Sequence, residues 1–254
     1  MRVLVTGGTG AVGRPVVRLL REAGHRAVVL SRRPGEGDDW RQGDLATGAG
    51  LAEAVRGMDT VVHAGSATTR PWRTRQTDVE GTRRLLEAAR GAGVRHAVYV
   101  SIVGIEGVHY SYYRHKLAAE RVVEEGMVPW SILRATQFHT LMELFLGRFF
   151  SAVPGLLTVP YAWRFQPVDT GDVAGRLVEV ATGEPGGRLP DFGGPEVRDL
   201  RSLAESWLRA RGRRRRLVNL RLPLRVSGEI AAGALVCPEH RDGVVTWERY
   251  LESG

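Results

Sequence analysis

The stretch from Val3 to Gly13, Val-Leu-Val-Thr-Gly-Gly-Thr-Gly-Ala-Val-Gly, restricts the fold more than any other part of the chain. Val3, Leu4 and Val5 make an apolar, β-branched run too short for a helix, which reads as a buried strand. Gly7, Gly8, Gly10 and Gly13 follow at once. Val12, Val16, Leu19, Leu20 and Ala23 then recur on one helical face, and Gly24 stands where a helix-ending glycine belongs. Strand, glycine turn and helix are the setting in which a weak glycine pattern becomes a candidate nucleotide cradle. Without side chains in the way, a diphosphate can reach unpaired backbone N–H groups and the positive end of the helix dipole. Gly7 would permit the tight turn, Gly10 the close approach, and Gly13 the packing of helix on strand. The spacing is Gly-x-x-Gly-x-x-Gly, not that of an ATP-cleaving phosphate loop.

Strand and helix patterns alternate at short spacing through the first half. Strands are expected at Arg26–Leu30, Trp40–Leu45, Thr60–Ala64, Ala97–Val103 and Trp130–Leu133. Helices are expected at about Gly50–Arg56, Val79–Ala92 and Tyr112–Glu125, with the polar, basic stretch Ala67–Arg75 a loop at the mouth of the site. That alternation argues parallel βαβ units and an α/β, doubly wound sheet. The pattern changes after residue 139. An apolar helix Leu141–Phe150, a strand near Gln166–Asp169, a helix to Ala181, a helix Leu200–Arg211, a strand Leu217–Leu222 and a final helical turn Trp247–Leu251 are expected there.

Charge and cysteine content narrow the class. The net charge is +8, and the arginines are spread along the whole chain, so a solvated basic surface suited to phosphorylated ligands is expected rather than a nucleic-acid partner. Cys237 is the only cysteine, which excludes an intrachain disulfide and suits a reducing, cytoplasmic setting. No apolar leader precedes the glycines and no uninterrupted apolar run is long enough to span a membrane, so neither secretion nor membrane insertion is expected. No metal site is expected. Of the 36 basic side chains only Lys116 is lysine, which marks it as a position where a compact ammonium is wanted rather than a guanidinium.

The second strand ends in Ser31-Arg32-Arg33, with no acidic residue before Glu36. An NAD-preferring site usually places an acid near here for the ribose 2′-OH. Arginine instead pairs with a 2′-phosphate, so NADP is expected over NAD, with Arg32 the first candidate and Arg33 the second. Asp44, followed by Leu45, would sit at the sheet's carboxyl edge, where it either accepts from an adenine amino group or caps the next helix. Ala64 and Gly65 follow the fourth strand and would lie beside the cofactor. His63, just before them, reads as a packed strand residue.

Tyr112-x-x-x-Lys116 puts a phenol and an ammonium on one helical face. A phenol titrates near pH 10, and lowering that by about three units takes roughly 4 kcal/mol of differential stabilisation. A neighbouring ammonium would supply part of it. Ser101, at the end of the fifth strand, could hold a substrate carbonyl by hydrogen bond. Together the three would polarise a C=O and give it a proton as hydride arrives. Tyr113, at i,i+3 to Lys116, is the rival acid.

These pieces resemble the atypical short-chain dehydrogenase/reductases of the NmrA-like, NAD(P)-binding kind. The resemblance rests on Thr6–Gly13, Ser31–Arg33, Gly43–Leu45, Ser101–Gly104, Tyr112–Glu120 and Ser131–Phe138, and spans residues 1 to about 182. It implies a Rossmann-type sheet over 1–182, with a substrate-lobe insertion at about 137–165, and a small C-terminal substrate lobe over 183–254. It implies NAD(P) against Thr6, Gly7, Thr9, Gly10, Ala11, Val12 and Gly13, with Lys116 at the nicotinamide ribose. Gln137, Phe138 and His139, after the sixth strand, are candidate substrate contacts. The expected function is NADPH-dependent reduction of a small carbonyl, quinone-like or imine substrate. The family also holds NADP-sensing regulators and redox-neutral enzymes that use bound cofactor.

Overall fold

The computed structural model describes residues 1–68 and 71–253, which divide into two compact units. The first comprises Met1–Ser101, Ser111–Arg134 and Val173–Pro190; the second comprises Ile102–Tyr110, Ala135–Asp172 and Asp191–Gly254. Residues 183–190 therefore belong with the first unit, and the boundary expected at 183 falls inside it. The reason is local: the strand Gly187–Arg188 pairs with Ser131 and Ile132 and closes the sheet's edge.

The strands of the first unit are β1 (Arg2–Thr6), β2 (Arg26–Ser31), β3 (Trp40–Gln42), β4 (Thr60–His63), β5 (His96–Ile102) and β6 (Trp130–Ala135). With Gly187–Arg188 they form a seven-stranded sheet in the order β3-β2-β1-β4-β5-β6 and then the edge strand. β1 pairs in parallel with β2 on one side and β4 on the other. The chain thus winds outward from β1 in both directions, which places the topological switch point at the carboxyl ends of β1 and β4. Val3, Leu4 and Val5 are fully buried, as are Val61 and Val62, as expected for central strands covered on both faces.

Four helices matter for the site: α1 (Gly13–Glu22), α2 (Leu51–Val55), α3 (Gly81–Gly91) and α4 (Ser111–Glu124). α1 buries Gly13, Val16, Val17 and Leu20, close to the face read from the sequence. Two elements depart from expectation. The third strand stops at Gln42 rather than Leu45, because Asp44 to Ala49 form a tight turn of their own. The helix expected to start at Val79 is preceded by a π-helical segment, Arg75–Glu80. Of the stretch read as a loop, residues 69 and 70 lie outside the described residues.

The second unit is built from short pieces. Arg198–Asp199 pairs antiparallel with Arg164–Phe165, and Arg216–Asn219 pairs parallel with Leu156–Val159. The apolar helix runs only from His139 to Leu144 and continues as a π-helical turn, Phe145–Phe149. The helix Leu200–Ala210 is capped by Asp199, which accepts from the Ser202 N–H at 2.8 Å. Gln166, fully buried, ties this unit together: its amide donates to the Gly194 and His240 carbonyls, and its Oε1 accepts from the Cys237 N–H. Among the described residues no helix is long and apolar enough to cross a membrane.

Candidate active site

The turn joining β1 to α1 has no room for larger residues at two points. Gly7 takes φ +67°, and a Cβ there would lie 2.8 Å from the Ala64 carbonyl oxygen. A Cβ on Gly13 would lie 2.1 Å from the Gly7 carbonyl oxygen, so α1 can approach the turn only without a side chain. Thr9, Gly10 and Ala11 are exposed at the start of α1, whose first turn has no capping side chain. The first N–H groups of a helix lack intrahelical partners, so this cradle fits the diphosphate of a dinucleotide.

Thr6 ends β1. Its side chain is fully buried behind the turn. Its Oγ1 accepts from the Gly65 N–H at 3.0 Å and meets His63 Nδ1 at 2.6 Å. His63 Nε2 meets Thr82 Oγ1 at 2.9 Å, and Thr82 donates to the Asp78 carbonyl. Burial holds the His63 imidazole neutral, with its pKa lowered to about 3. The Asp78 carbonyl, an acceptor at one end, fixes the direction of every proton. Thr82 donates to a carbonyl, so it accepts from His63 Nε2–H; Thr6 therefore donates to Nδ1. Thr6 and His63 thereby hold Gly65 and the turn in place.

Arg32 and Arg33 are exposed just past β2. Asp44 is half-buried and its Oδ1 accepts from the Ala46 N–H at 2.9 Å. It stabilises its own turn and does not cap α2, whose N-cap is Gly50. Leu45 is buried, and Gly65 packs close to it.

Tyr112 and Lys116 are both buried on α4. Lys116 Nζ donates to the Tyr99 hydroxyl at 2.6 Å and to the Val100 carbonyl at 2.8 Å. Burial lowers its pKa to about 8, while the Asp78 and Glu120 carboxylates act to raise it. The same burial pushes the Tyr99 phenol well above its ordinary value.

Ser101, expected as the holder of a substrate carbonyl, lies on β5. Its hydroxyl is buried without a hydrogen-bond partner among the described residues, and the charge it faces is Glu120, whose carboxyl it helps keep ionised. Glu120 is held mainly by Arg134, through two contacts of 2.9 and 2.8 Å, and by Arg188 at 3.1 Å. The Tyr112 hydroxyl meets Ser66 at 3.2 Å and Thr68 at 3.3 Å. Behind Ser66 stands Asp78, fully buried, whose carboxylate accepts from the Ser66 hydroxyl at 2.5 Å and from the Ala67 N–H at 3.1 Å. Sequence reasoning missed these three. The available signal was Ala64-Gly65-Ser66-Ala67-Thr68 directly after a strand at the switch point, since strand ends there line the crevice.

Two of the three candidate substrate contacts are packed within the second unit. His139 Nε2 donates to the Val245 carbonyl at 3.0 Å, and its ring stacks on Tyr250 beside Trp247. Gln137 donates to the Leu235 carbonyl at 3.2 Å, while its Oε1 is buried and unpartnered among the described residues. Phe138 is half-buried.

Fold and cradle together define an α/β protein with a dinucleotide-binding cradle. Residues 7–141, more than half of the chain, match the NAD(P)H-binding family, and the chain belongs to it. It is similar to a (4-alkanoyl-5-oxo-2,5-dihydrofuran-3-yl)methyl phosphate reductase of Streptomyces griseus, 33% identical over 226 residues, covering 83% of this chain and 74% of that one. It is also similar to a ceramide reductase of Caulobacter vibrioides, 29% identical over 253 residues, covering 92% and 77%. Among solved structures, a short-chain dehydrogenase/reductase superfamily protein of Agrobacterium tumefaciens with bound NAD superposes with a TM-score of 0.74 at 24% identity, covering 100% of this chain and 95% of that one.

Proposed function

We propose that this protein is an NADPH-dependent reductase of a small carbonyl, quinone-like or imine substrate, with Tyr112 as proton donor. The observation that carries the reading is the Tyr112 hydroxyl, which meets Ser66 at the carboxyl end of β4, one strand from the glycine cradle. The bound reduced nicotinamide supplies hydride. The chain supplies the rest. Tyr112 holds a proton at its hydroxyl for the atom that gains negative charge, and Ser66 and Thr68 fix the direction of that hydroxyl. Lys116 spends two of its three N–H donors on Tyr99 and Val100, leaving the third for a ribose hydroxyl. The preference for NADPH rests on Arg32 and Arg33 past β2, where no acid stands to receive a 2′-hydroxyl. Two relatives that cover most of this chain are named as reductases, which supports the same reading.

The test is NADPH oxidation by the purified protein across a panel of enones, quinones, ketones and imines. Turnover with loss of NADPH is expected. Tight NADPH binding with no turnover would favour a sensor of cofactor state. Conversion of a substrate with no net NADPH loss would favour a redox-neutral enzyme.

A further inference from the structure

The excess positive charge of the chain belongs to two segments of the second unit. Residues 144–168 and 206–228 together hold ten arginines and no acidic residue, while the rest of the chain holds 26 basic and 28 acidic residues. The net charge of +8 therefore arises in these segments. The fold sets them side by side. The strand Arg216–Asn219 pairs with Leu156–Val159, and the Arg216 N–H donates to the Gly155 carbonyl at 2.9 Å. Arg215 Nη1 donates to the Ser151 and Leu156 carbonyls at 3.1 and 3.2 Å. Arg213 lies over the Trp207 ring, 5.0 Å from its centroid, and a Cβ on Gly147 would lie 3.6 Å from that same ring. Of the ten arginines, only Arg211 and Arg225 meet a carboxylate among the described residues, those of Glu143 and Glu229.

Beside this charge, the turn after Phe145–Phe149 presents apolar side chains to solvent. Phe149 is 60% exposed and Val153 48%, and Ala152 and Pro154 are exposed with them. The turn is held from behind. The Ser151 hydroxyl donates to the Leu146 carbonyl at 2.6 Å, and the Phe150 ring meets Phe145 and Trp163 edge-on. Apolar groups at the tip and unpaired cations around it match a bilayer surface, where the first enter the acyl boundary and the second meet anionic headgroups. We propose that this turn and its flanking arginines are a peripheral docking surface for an anionic lipid bilayer. Lying on a bilayer differs from spanning it, and among the described residues no helix is long enough to span. Nucleic acid fits the surface less well. Single strands bind by stacking bases on aromatic rings, and of these exposed side chains only Phe149 has one. The proposal is independent of the reductase reading.

The experiment is co-sedimentation of the purified full chain with phosphatidylcholine vesicles, with and without phosphatidylserine. Binding is expected only where phosphatidylserine is present. An arginine near an anionic surface contributes about fivefold in affinity, so Arg148→Gln/Arg214→Gln/Arg216→Gln should bind about 100-fold more weakly. Those three side chains make no hydrogen bond or ion pair among the described residues, so the variant should fold as wild type does, which circular dichroism checks. Entry into the acyl boundary is read at Val153→Cys carrying an environment-sensitive fluorophore. Cys237, the only native cysteine, is buried and shielded from the label. The emission is expected to move to shorter wavelength on phosphatidylserine vesicles. Absence of vesicle binding, or equal binding by the triple variant, overturns the proposal. So does binding with unshifted emission at residue 153, which would leave a purely electrostatic contact. Tighter binding of a DNA oligonucleotide through the same three arginines would assign the surface to nucleic acid and overturn it as well. No arm needs a substrate or NADPH, so failure here leaves the reductase reading untouched.

Discussion

The proposed preference for NADPH rests on two residues, Arg32 and Arg33. The chain supplies no acid between the end of β2 and Glu36, and arginine pairs bidentately with phosphate. Exposed charge pairs contribute little in the absence of ligand, so removing Arg32 should leave stability unchanged and act on cofactor choice. Arg32→Ala is expected to raise the KM for NADPH about tenfold, equivalent to about 1.4 kcal/mol, with the KM for NADH moving little. Steady-state kinetics with both cofactors measures it; an unchanged NADPH preference would remove Arg32 from the account. At this scale the sequence was informative wherever a residue type is costly to place. Gly7 and Gly13 were legible because a Cβ would strike backbone, and Lys116 because the chain otherwise writes its cations as arginine. Ser66, Thr68 and Asp78 were not legible. Small polar residues in a loop are common, and only the fold shows that a serine 46 residues from Tyr112 touches its hydroxyl.

At the scale of elements, α4 carries two ionic side chains that point inward. Lys116 reaches β5, and Glu120, one turn on, ties α4 to Arg134 on β6 and Arg188 on the edge strand. Glu120 keeps its carboxyl ionised despite burial, chiefly because Arg134 grips it with paired bonds. Truncating one partner of a buried pair costs more than the pair itself contributes, because the other charge is left unpaired. Glu120→Ala is expected to cost about 3 to 5 kcal/mol in urea unfolding. A loss below about 1 kcal/mol would mean that the arginines find solvent. The helix face of α4 could be read from spacing, but the identity of its partners could not. Ser101 illustrates the gap. Its place at a strand end was foreseen, yet the sequence left open which neighbour its hydroxyl meets, and burial turns it toward Glu120.

Across the whole molecule, burial of neutral histidines sets the acid limit. His63 has its pKa lowered from 6.5 to about 3, and His96 and His139 are shifted in the same direction by burial. The unfolded chain binds a proton at each of these sites before the folded chain does. Their contribution is therefore complete above about pH 6.5 and is lost as pH falls toward 3, at about 1.4 kcal/mol per unit for His63 alone. The melting temperature is expected to fall steadily between pH 6.5 and 4, and His63→Gln should flatten that fall; equal slopes in the two proteins would contradict it. The order of the α/β elements was legible throughout the sheet, because strands buried on both faces leave continuous apolar runs and glycine turns mark their ends. The second unit was less so. Its strands of two to four residues and its broken helices leave too short a pattern to read, and buried hubs such as Gln166 carry no local signature.

The measurement that bears most directly on the central claim is turnover by Tyr112→Phe beside its NADPH affinity. The substitution removes one hydroxyl and keeps the ring, so its contact with the Tyr113 ring survives. With a carbonyl substrate that wild type reduces, kcat is expected to fall about 10²- to 10⁴-fold, the range of a positioned general acid, while NADPH binds as before. Retention of wild-type kcat on the same substrate would contradict the account and take the proton away from Tyr112.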